Sequence, residues 1–279
     1  MELFDTHCHI QSAGSSDGMP WEGERSTREL WAKAAGRTVG AIIARAHEAG
    51  VARMLCVGCD ADDSRLAAAC AQKHKNCWAS IGIHPHEAAR YAGKTAELAM
   101  FAALAAEPKV VAVGECGLDY FYGHSPKKAQ AELLHFQLQL AVRHNLPLVF
   151  HVREAFDDFW PVFEQYHTAA RPVRGVLHSF TDSGSNLERA LAHGLYIGVN
   201  GIATFTKHPA QRELYRTIPL TSLLLETDAP FLTPMPDRGK VCEPYHVRTT
   251  AEFLSGLRGD PVESLAAATT ENARHLFGV

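Results

Sequence analysis

Glu2-Leu3-Phe4-Asp5-Thr6-His7-Cys8-His9 opens the chain as a short apolar strand that runs into two histidines. Residues i and i+2 of a strand point to one side, so His7 and His9 can reach one metal ion, while Cys8 faces the other way and is read as packed. Seven further apolar, β-branched runs follow: Ala52 to Val57, Trp78 to Ile83, Val110 to Gly114, Pro147 to Phe150, Arg174 to Leu177, Leu195 to Val199 and Ser222 to Leu225. Runs such as Leu223-Leu224-Leu225 are continuously apolar, which suits parallel strands buried on both faces. Helical patterns separate the runs, and eight βα units predict an α/β fold, a TIM-type (β/α)8 barrel or a distorted form of it.

The spacers carry helix signals. Ser125-Pro126 supplies an N-cap and a first-turn proline for a helix from Ala129 to Arg143, which Asn145 and Pro147 end. Ser26 and Glu29 have capping-box spacing before a helix that Gly36 and Gly40 weaken and Gly50 closes; Ser185 to His193 closes on Gly194. Two stretches stand outside the repeat as loops, Gln11 to Arg25 and the proline-rich Ala229 to Tyr245, and in a barrel both belong at the rim where active sites form. With 279 residues and 46% apolar content, residues 1–279 are expected to form a single barrel domain, since such a barrel commonly needs about 250 residues.

A formal net charge of −4 gives no global nucleic-acid footprint, so binding phosphate would require local basic residues or metal ions. The seven cysteines are odd in number and scattered, which fits a reducing compartment. Cys56-Val57-Gly58-Cys59 has redox or zinc spacing but lacks a second pair and is read as packing. The first residues show no basic region followed by an apolar stretch, and no segment approaches about 20 consecutive apolar residues. The expectation is a cytoplasmic protein with no membrane association and no obligate protein partner.

Potential metal ligands recur at the ends of the runs: His7 and His9 on the first, His84 on the third, Glu115 on the fourth, His151 on the fifth, His178 on the sixth, and Asp228 after the eighth. A lone histidine is usually a surface or hydrogen-bonded core residue, and the ten on helices and loops, His124 and His246 among them, are read so. Polar strand ends converging on one end of a barrel are hard to explain by packing. Four imidazoles with two carboxylates exceed one tetrahedral site and suit two divalent ions: His7, His9 and Asp228 on one, His151 and His178 on the other, and Glu115 bridging. Nitrogen and oxygen ligands tolerate magnesium, manganese, zinc or cobalt. Asp228 is the expected acceptor of a proton from a metal-activated water, with Glu115 as its catalytic companion.

The motifs Asp5-Thr6-His7-Cys8-His9, Gly82-Ile83-His84-Pro85-His86, Gly114-Glu115-Cys116-Gly117-Leu118-Asp119, His151-Val152-Arg153-Glu154-Ala155, Leu177-His178-Ser179-Phe180 and Leu225-Glu226-Thr227-Asp228-Ala229-Pro230 appear in that order over nearly the whole chain. In them the sequence resembles the TatD-type metal-dependent hydrolases of the amidohydrolase superfamily. The resemblance implies the ligand roles given above, with Glu115 in place of a modified lysine, and suggests that His84 and Arg153 line the substrate site. It also implies that Arg238 and Lys240, in the loop that reaches Glu243-Pro244, hold phosphate. Cys242 stands where an asparagine is usual, and Gln11 to Arg25 is longer than is usual. The implied activity is a divalent-metal-dependent deoxyribonuclease, 3′ to 5′ exonuclease-like, with DNA as substrate. Two alternatives remain at this stage: hydrolysis of a small amide, ester or lactone at the same centre, and a non-catalytic metal-stabilised binding scaffold. A nucleic-acid site calls for stacking aromatics, for which Phe121, Tyr122 and Phe205 are candidates.

Overall fold

The computed structural model describes residues 1–13, 22–34 and 36–279, with residues 22–26 as backbone only. The strands are β1 (Leu3–Cys8), β2 (Val51–Val57), β3 (Cys77–Ile81), β4 (Val110–Asp119), β5 (Leu148–Arg153), β6 (Gly175–Leu177), β7 (Tyr196–Val199) and β8 (Leu223–Leu225). They are ordered β1 to β8 in one sheet, with helices between them, which is the topology of the (β/α)8 fold that the sequence predicts. The helices are α1 (Glu22–Ala32), α2 (Val39–Glu48), α3 (Ala61–Lys73), α4 (Ala88–Tyr91), α5 (Thr95–Leu104), α6 (Lys127–His144), α7 (Phe156–Tyr166), α8 (Gly184–Ala192), α9 (Ile202–Phe205), α10 (Pro209–Thr217), α11 (Val247–Arg258) and α12 (Val262–Phe277). No described helix is long and apolar enough to cross a membrane. The chain packs as two compact units, the first of Met1–Cys56 and Ser179–His275, the second of Val57–His178 and Leu276–Val279.

In the first unit β1 pairs in parallel with β2, Asp5 opposite Met54 and Cys8 opposite Cys56, and β7 pairs with β8, Gly198 opposite Leu224. A further parallel bridge joins Cys8 to Ala229. The Cys8 thiol donates to Leu55 O at 3.4 Å, so it is packed as expected. Helices α1 and α2 replace the one helix expected from the Ser26 spacing. Ser26 lies inside α1 and not at its cap, because the helix begins at Glu22; α2 has its own cap, Thr38 Oγ1, which accepts from Ala41 N. Of the predicted Gln11 to Arg25 loop, Ile10–Ser12 form a 3-10 turn and residues 22–25 are helical, while residues 14–21 lie outside the described residues. The Ala229 to Tyr245 stretch is a loop up to a 3-10 turn at Pro244–His246.

In the second unit β3, β4, β5 and β6 pair in parallel succession, with Ile81 opposite Val113, Gly117 opposite His151 and Phe150 opposite Leu177. The aromatic rings of Phe150, Phe159, Trp160 and Phe163 pack on one another with centroids 5.1–5.9 Å apart. Helix α6 contributes two buried glutamines, seven residues apart and so on one face. Gln137 accepts from Ile83 N at 2.7 Å and donates to Ile83 O at 3.0 Å; Gln130 does the same for Asp119, at 2.7 and 3.0 Å. Each amide completes backbone hydrogen bonding where the chain leaves β3 and β4. Ser125, expected to cap α6, instead donates to His86 O and accepts from Ala89 N, leaving Pro126 at the cap position.

The largest departure from the sequence reading is β4, which runs on to Asp119 and does not stop at Gly114, so Glu115 sits within the strand. Glycine there serves close approach and not termination. A Cβ on Gly117, at φ +147°, would lie 1.9 Å from His151 O. Gly117→Ala is therefore expected to displace β5 from β4 and to lower the unfolding free energy by about 1–3 kcal/mol. Gly40→Ala, on α2 with open space around its Cβ, is expected to be neutral or slightly stabilising. Urea unfolding midpoints of the two variants check the contrast, and equal midpoints would contradict it.

Candidate metal centre

Each unit offers its own group of converging donors. In the first unit His7, His9 and Asp228 form a triad. The Nε2 atoms of His7 and His9 stand 3.3 Å apart, and Asp228 Oδ1 lies 3.3 Å from His9 Nε2 and 3.7 Å from His7 Nε2. Donors about 2.1 Å from a common tetrahedral cation are about 3.4 Å from one another, so this spacing fits an ion between them. The backbone enforces the convergence: Asp228 N donates to His7 O and His9 N to Ala229 O, each at 2.8 Å. Asp228 has a left-handed φ of 64°, a conformation that aspartate tolerates better than most residues.

Beneath this triad the buried Asp5 carboxylate accepts from Thr227 N at 2.9 Å and from Thr227 Oγ1 at 2.6 Å. Burial pushes its pKa up to about 8, against the hydrogen bonds from Thr227 and the His7 amide. Trp31 Nε1 donates to His9 O at 3.0 Å, tying α1 to the end of β1.

In the second unit Glu115 Oε1 is the centre of three imidazoles: His151 Nδ1 at 3.0 Å, His84 Nε2 at 3.5 Å and His178 Nε2 at 3.9 Å. The other nitrogen of His151, Nε2, meets Asp119 Oδ2 at 2.8 Å. With a proton held there, Nδ1 keeps its lone pair for a cation, the carboxylate–histidine arrangement typical of metal sites. Burial alone would lower the pKa of His151, but Asp119 and Glu115 push it up to about 9. Burial would raise that of Asp119, yet hydrogen bonds from His151, His86 and the Tyr122 amide hold it well below the usual carboxylate range.

His84 plays a different part. Its Nδ1 accepts from His86 N at 3.2 Å, which leaves the proton on Nε2. Burial lowers its pKa to about 4, so it is a neutral N–H donor at Glu115 and has no lone pair to offer there. This geometry suits the substrate contact that the family resemblance suggests for it.

The basic residues expected to hold substrate lie on aromatic or acidic partners. The Arg153 guanidinium carbon is 3.8 Å from the Phe121 ring centroid, and that of Arg238 is 4.0 Å from Phe205. Arg238 Nη1 also donates to Thr233 O at 3.2 Å, and the exposed Lys240 pairs with Asp237. Glu243 is buried in ion pairs with Arg37 and Arg45 and so anchors its loop to the chain around α2.

Sequence reasoning missed Asp5, Asp119 and Cys59, whose thiol donates to Glu115 Oε2 at 3.7 Å. Asp119 was legible in principle, since Glu115, Gly117 and Asp119 fall on one face of a strand by their period of two. All seven cysteines are unbridged and buried. The His and carboxylate groups are compatible with binding divalent metal.

A family profile described as TatD related DNase matches residues 4–278. The 3'-5' ssDNA/RNA exonuclease TatD of Erwinia amylovora is 40% identical over 244 residues, covering 85% of this chain and 93% of that protein. YabD of Bacillus subtilis, described as an uncharacterized metal-dependent hydrolase, is 34% identical over 277 residues, 99% of each. The crystal structure of YjjV, a TatD homologue from Escherichia coli K12, matches with a TM-score of 0.82 at 30% identity, covering 99% of this chain and 98% of that one.

In protein stripped of divalent cations, His84 is expected to stay neutral down to about pH 4 and His151 protonated up to about pH 9, as read by imidazole 15N shifts. A raised histidine pKa contributes stability that is complete below its unfolded value near 6.5 and lost as pH rises through about 9. Asp119→Ala should remove most of that alkaline loss; an unchanged pH–stability profile in the variant would overturn the role given to Asp119.

Proposed function

The chain belongs to the TatD related DNase family, and from that premise we propose that it is a divalent-metal-dependent phosphodiesterase, a 3′ to 5′ exonuclease on single-stranded nucleic acid. The observation that carries this reading is the placement of Asp228 Oδ1 within 3.3–3.7 Å of two imidazole nitrogens, where one carboxylate can both serve a cation and take a proton. The relatives' exonuclease activity supports a nucleic-acid substrate, RNA as well as DNA, over a small amide, ester or lactone. The non-catalytic alternative calls for a lost ligand or a lost base, and His7, His9, Glu115, His151, His178 and Asp228 are all in place.

His7, His9 and Asp228 of the first unit would hold one ion, and Glu115, His151 and His178 of the second unit another. Magnesium, manganese, zinc and cobalt all suit this donor set. When bound, the cations supply Lewis acidity to the attacking water and to the leaving oxygen. Asp228 accepts the proton of the water as its oxygen bonds to phosphorus; the P–O bond to the leaving sugar oxygen breaks, and the proton returns to that oxygen. His84 donates its Nε2 proton as a hydrogen bond to a phosphate oxygen. Arg153, Arg238 and Lys240 provide the local positive charge that a chain of net charge −4 needs beside a polyanion. Unbridged cysteines fit a reducing, cytoplasmic setting.

Stripped enzyme reloaded with each metal should shorten 5′-labelled single-stranded DNA from its 3′ end, and Asp228→Asn should cut the rate by about 100-fold or more. Full activity in Asp228→Asn would remove the base assignment. Glu115→Ala should hold fewer than two ions per chain by elemental analysis, and retention of both would refute its ligand role.

A further inference from the structure

We propose that Phe121 and Tyr122 form a platform on which an unpaired nucleobase of the substrate stacks, while Arg153, gripped by the same two rings, faces the phosphate of that strand. The proposal rests on the nuclease reading and defines the form of its substrate: a single strand, selected by stacking and not by base identity.

Three observations within the second unit carry it. The first is exposure. Phe121 and Tyr122 are 50% and 54% exposed, and among the described residues Met1 and Met235 are the other exposed large apolar side chains. Adjacent aromatic rings half in water leave apolar area uncovered, unlike rings that merely pack a loop. The second is charge. The Arg153 guanidinium carbon lies 3.8 Å from the Phe121 centroid and 4.8 Å from that of Tyr122, and the rings meet edge to face at 4.8 Å and 89°. A guanidinium lying over a ring keeps its in-plane N–H donors for phosphate oxygens.

The third is attachment to the reacting centre. Phe121 N and Tyr122 N both donate to Asp119 Oδ1 at 3.0 Å, and Asp119 Oδ2 meets His151 Nε2 at 2.8 Å. One carboxylate thus fixes the platform and orients a candidate metal ligand. Tyr122 is steadied further by His124, stacked at 5.6 Å and 15°. A base on these rings is held at a set distance from the centre whichever base it is, because every base has a π-face. A duplex end, with its bases already stacked on each other, gains little from such a surface.

The experiment compares metal-loaded wild type, Phe121→Ala, Tyr122→Ala, the double variant and Tyr122→Phe. The substrates are single-stranded oligonucleotides with a normal or an abasic residue at the 3′-terminal or the adjacent position. The double variant should raise KM about 5- to 100-fold with a smaller change in kcat. An abasic residue at the stacking position should impose a similar rise on wild type and little further rise on the double variant, and Tyr122→Phe should behave as wild type. Unchanged KM in the double variant, or abasic penalties equal in wild type and variant, would overturn the platform. Binding is read separately from turnover with 2-aminopurine in the strand, on metal-loaded Asp228→Asn protein with and without the two alanines. Quenching lost on alanine substitution supports stacking even if wild type cleaves nothing, in which case the nuclease reading falls alone. Cleavage with quenching unaffected by the alanines leaves the nuclease reading standing and removes the platform.

Discussion

The chemistry of the second unit depends on one imidazole held from both sides. His151 meets Glu115 through Nδ1 and Asp119 through Nε2, at 3.0 and 2.8 Å. Both acids come from β4, two residues either side of Gly117, which is itself the register partner of His151. This clamp requires β4 to remain extended through Asp119 and its backbone to approach β5 more closely than any side chain at position 117 allows. Register, glycine and ring orientation are therefore one constraint. Gln130 and Gln137 of α6 support it by completing the backbone hydrogen bonds of Asp119 and Ile83.

Two buried aspartates show how the surroundings divide protonation states. Asp119 faces two imidazoles and two backbone amides, and these donors outweigh its burial, keeping it ionised. Asp5 is packed more deeply, faces only neutral donors, the Thr227 hydroxyl and the amides of Thr227 and His7, and lies near the Glu226 carboxylate, so burial pushes its pKa up. The ionised acid can fix a histidine tautomer, which then determines the nitrogen left for a cation. Asp5, through its hydrogen bonds to Thr227, acts as a joint between β1 and the segment that carries Asp228.

The fold was legible because several of its strands are continuously apolar runs, such as Leu223–Leu225, and are separated by helical periods, signals that parallel burial on two faces creates directly. The candidate ligands were legible for a related reason: a polar side chain that ends an apolar strand needs a partner. Boundaries failed where a residue type serves two purposes. Gly114 and Gly117 carry the signature of a strand ending, but their purpose is close approach between strands, which depends on a neighbour far along the chain. Ser125 and Ser26 had capping spacing, yet Ser125 Oγ is taken by His86 and Ala89, and Ser26 falls within α1. His84 and His151 look alike in sequence; only the partner of their second nitrogen, an amide N–H for one and a carboxylate for the other, separates an N–H donor from a candidate ligand.

If the substrate is the polyanion proposed above, the basic residues reconcile it with a net charge of −4. Arg153, at the end of β5, and Arg238, in the loop after β8, each lie over an aromatic ring, Phe121 and Phe205 respectively. A lysine could supply the same charge, as Lys240 does beside Asp237, but its ammonium is a strongly hydrated point that favours no direction. A guanidinium resting on a ring gives up water on one face to the π-surface and retains donors along its edge, so it is both held and aimed. The acid nearest in sequence to Arg238 and Lys240 beyond Asp237 is Glu243, whose charge is buried against Arg37 and Arg45. On the proposed function, attraction for phosphate would come from oriented cations in each unit, with a nearby anion sequestered beside Arg238 and Lys240, and would need no excess of basic residues over the chain as a whole.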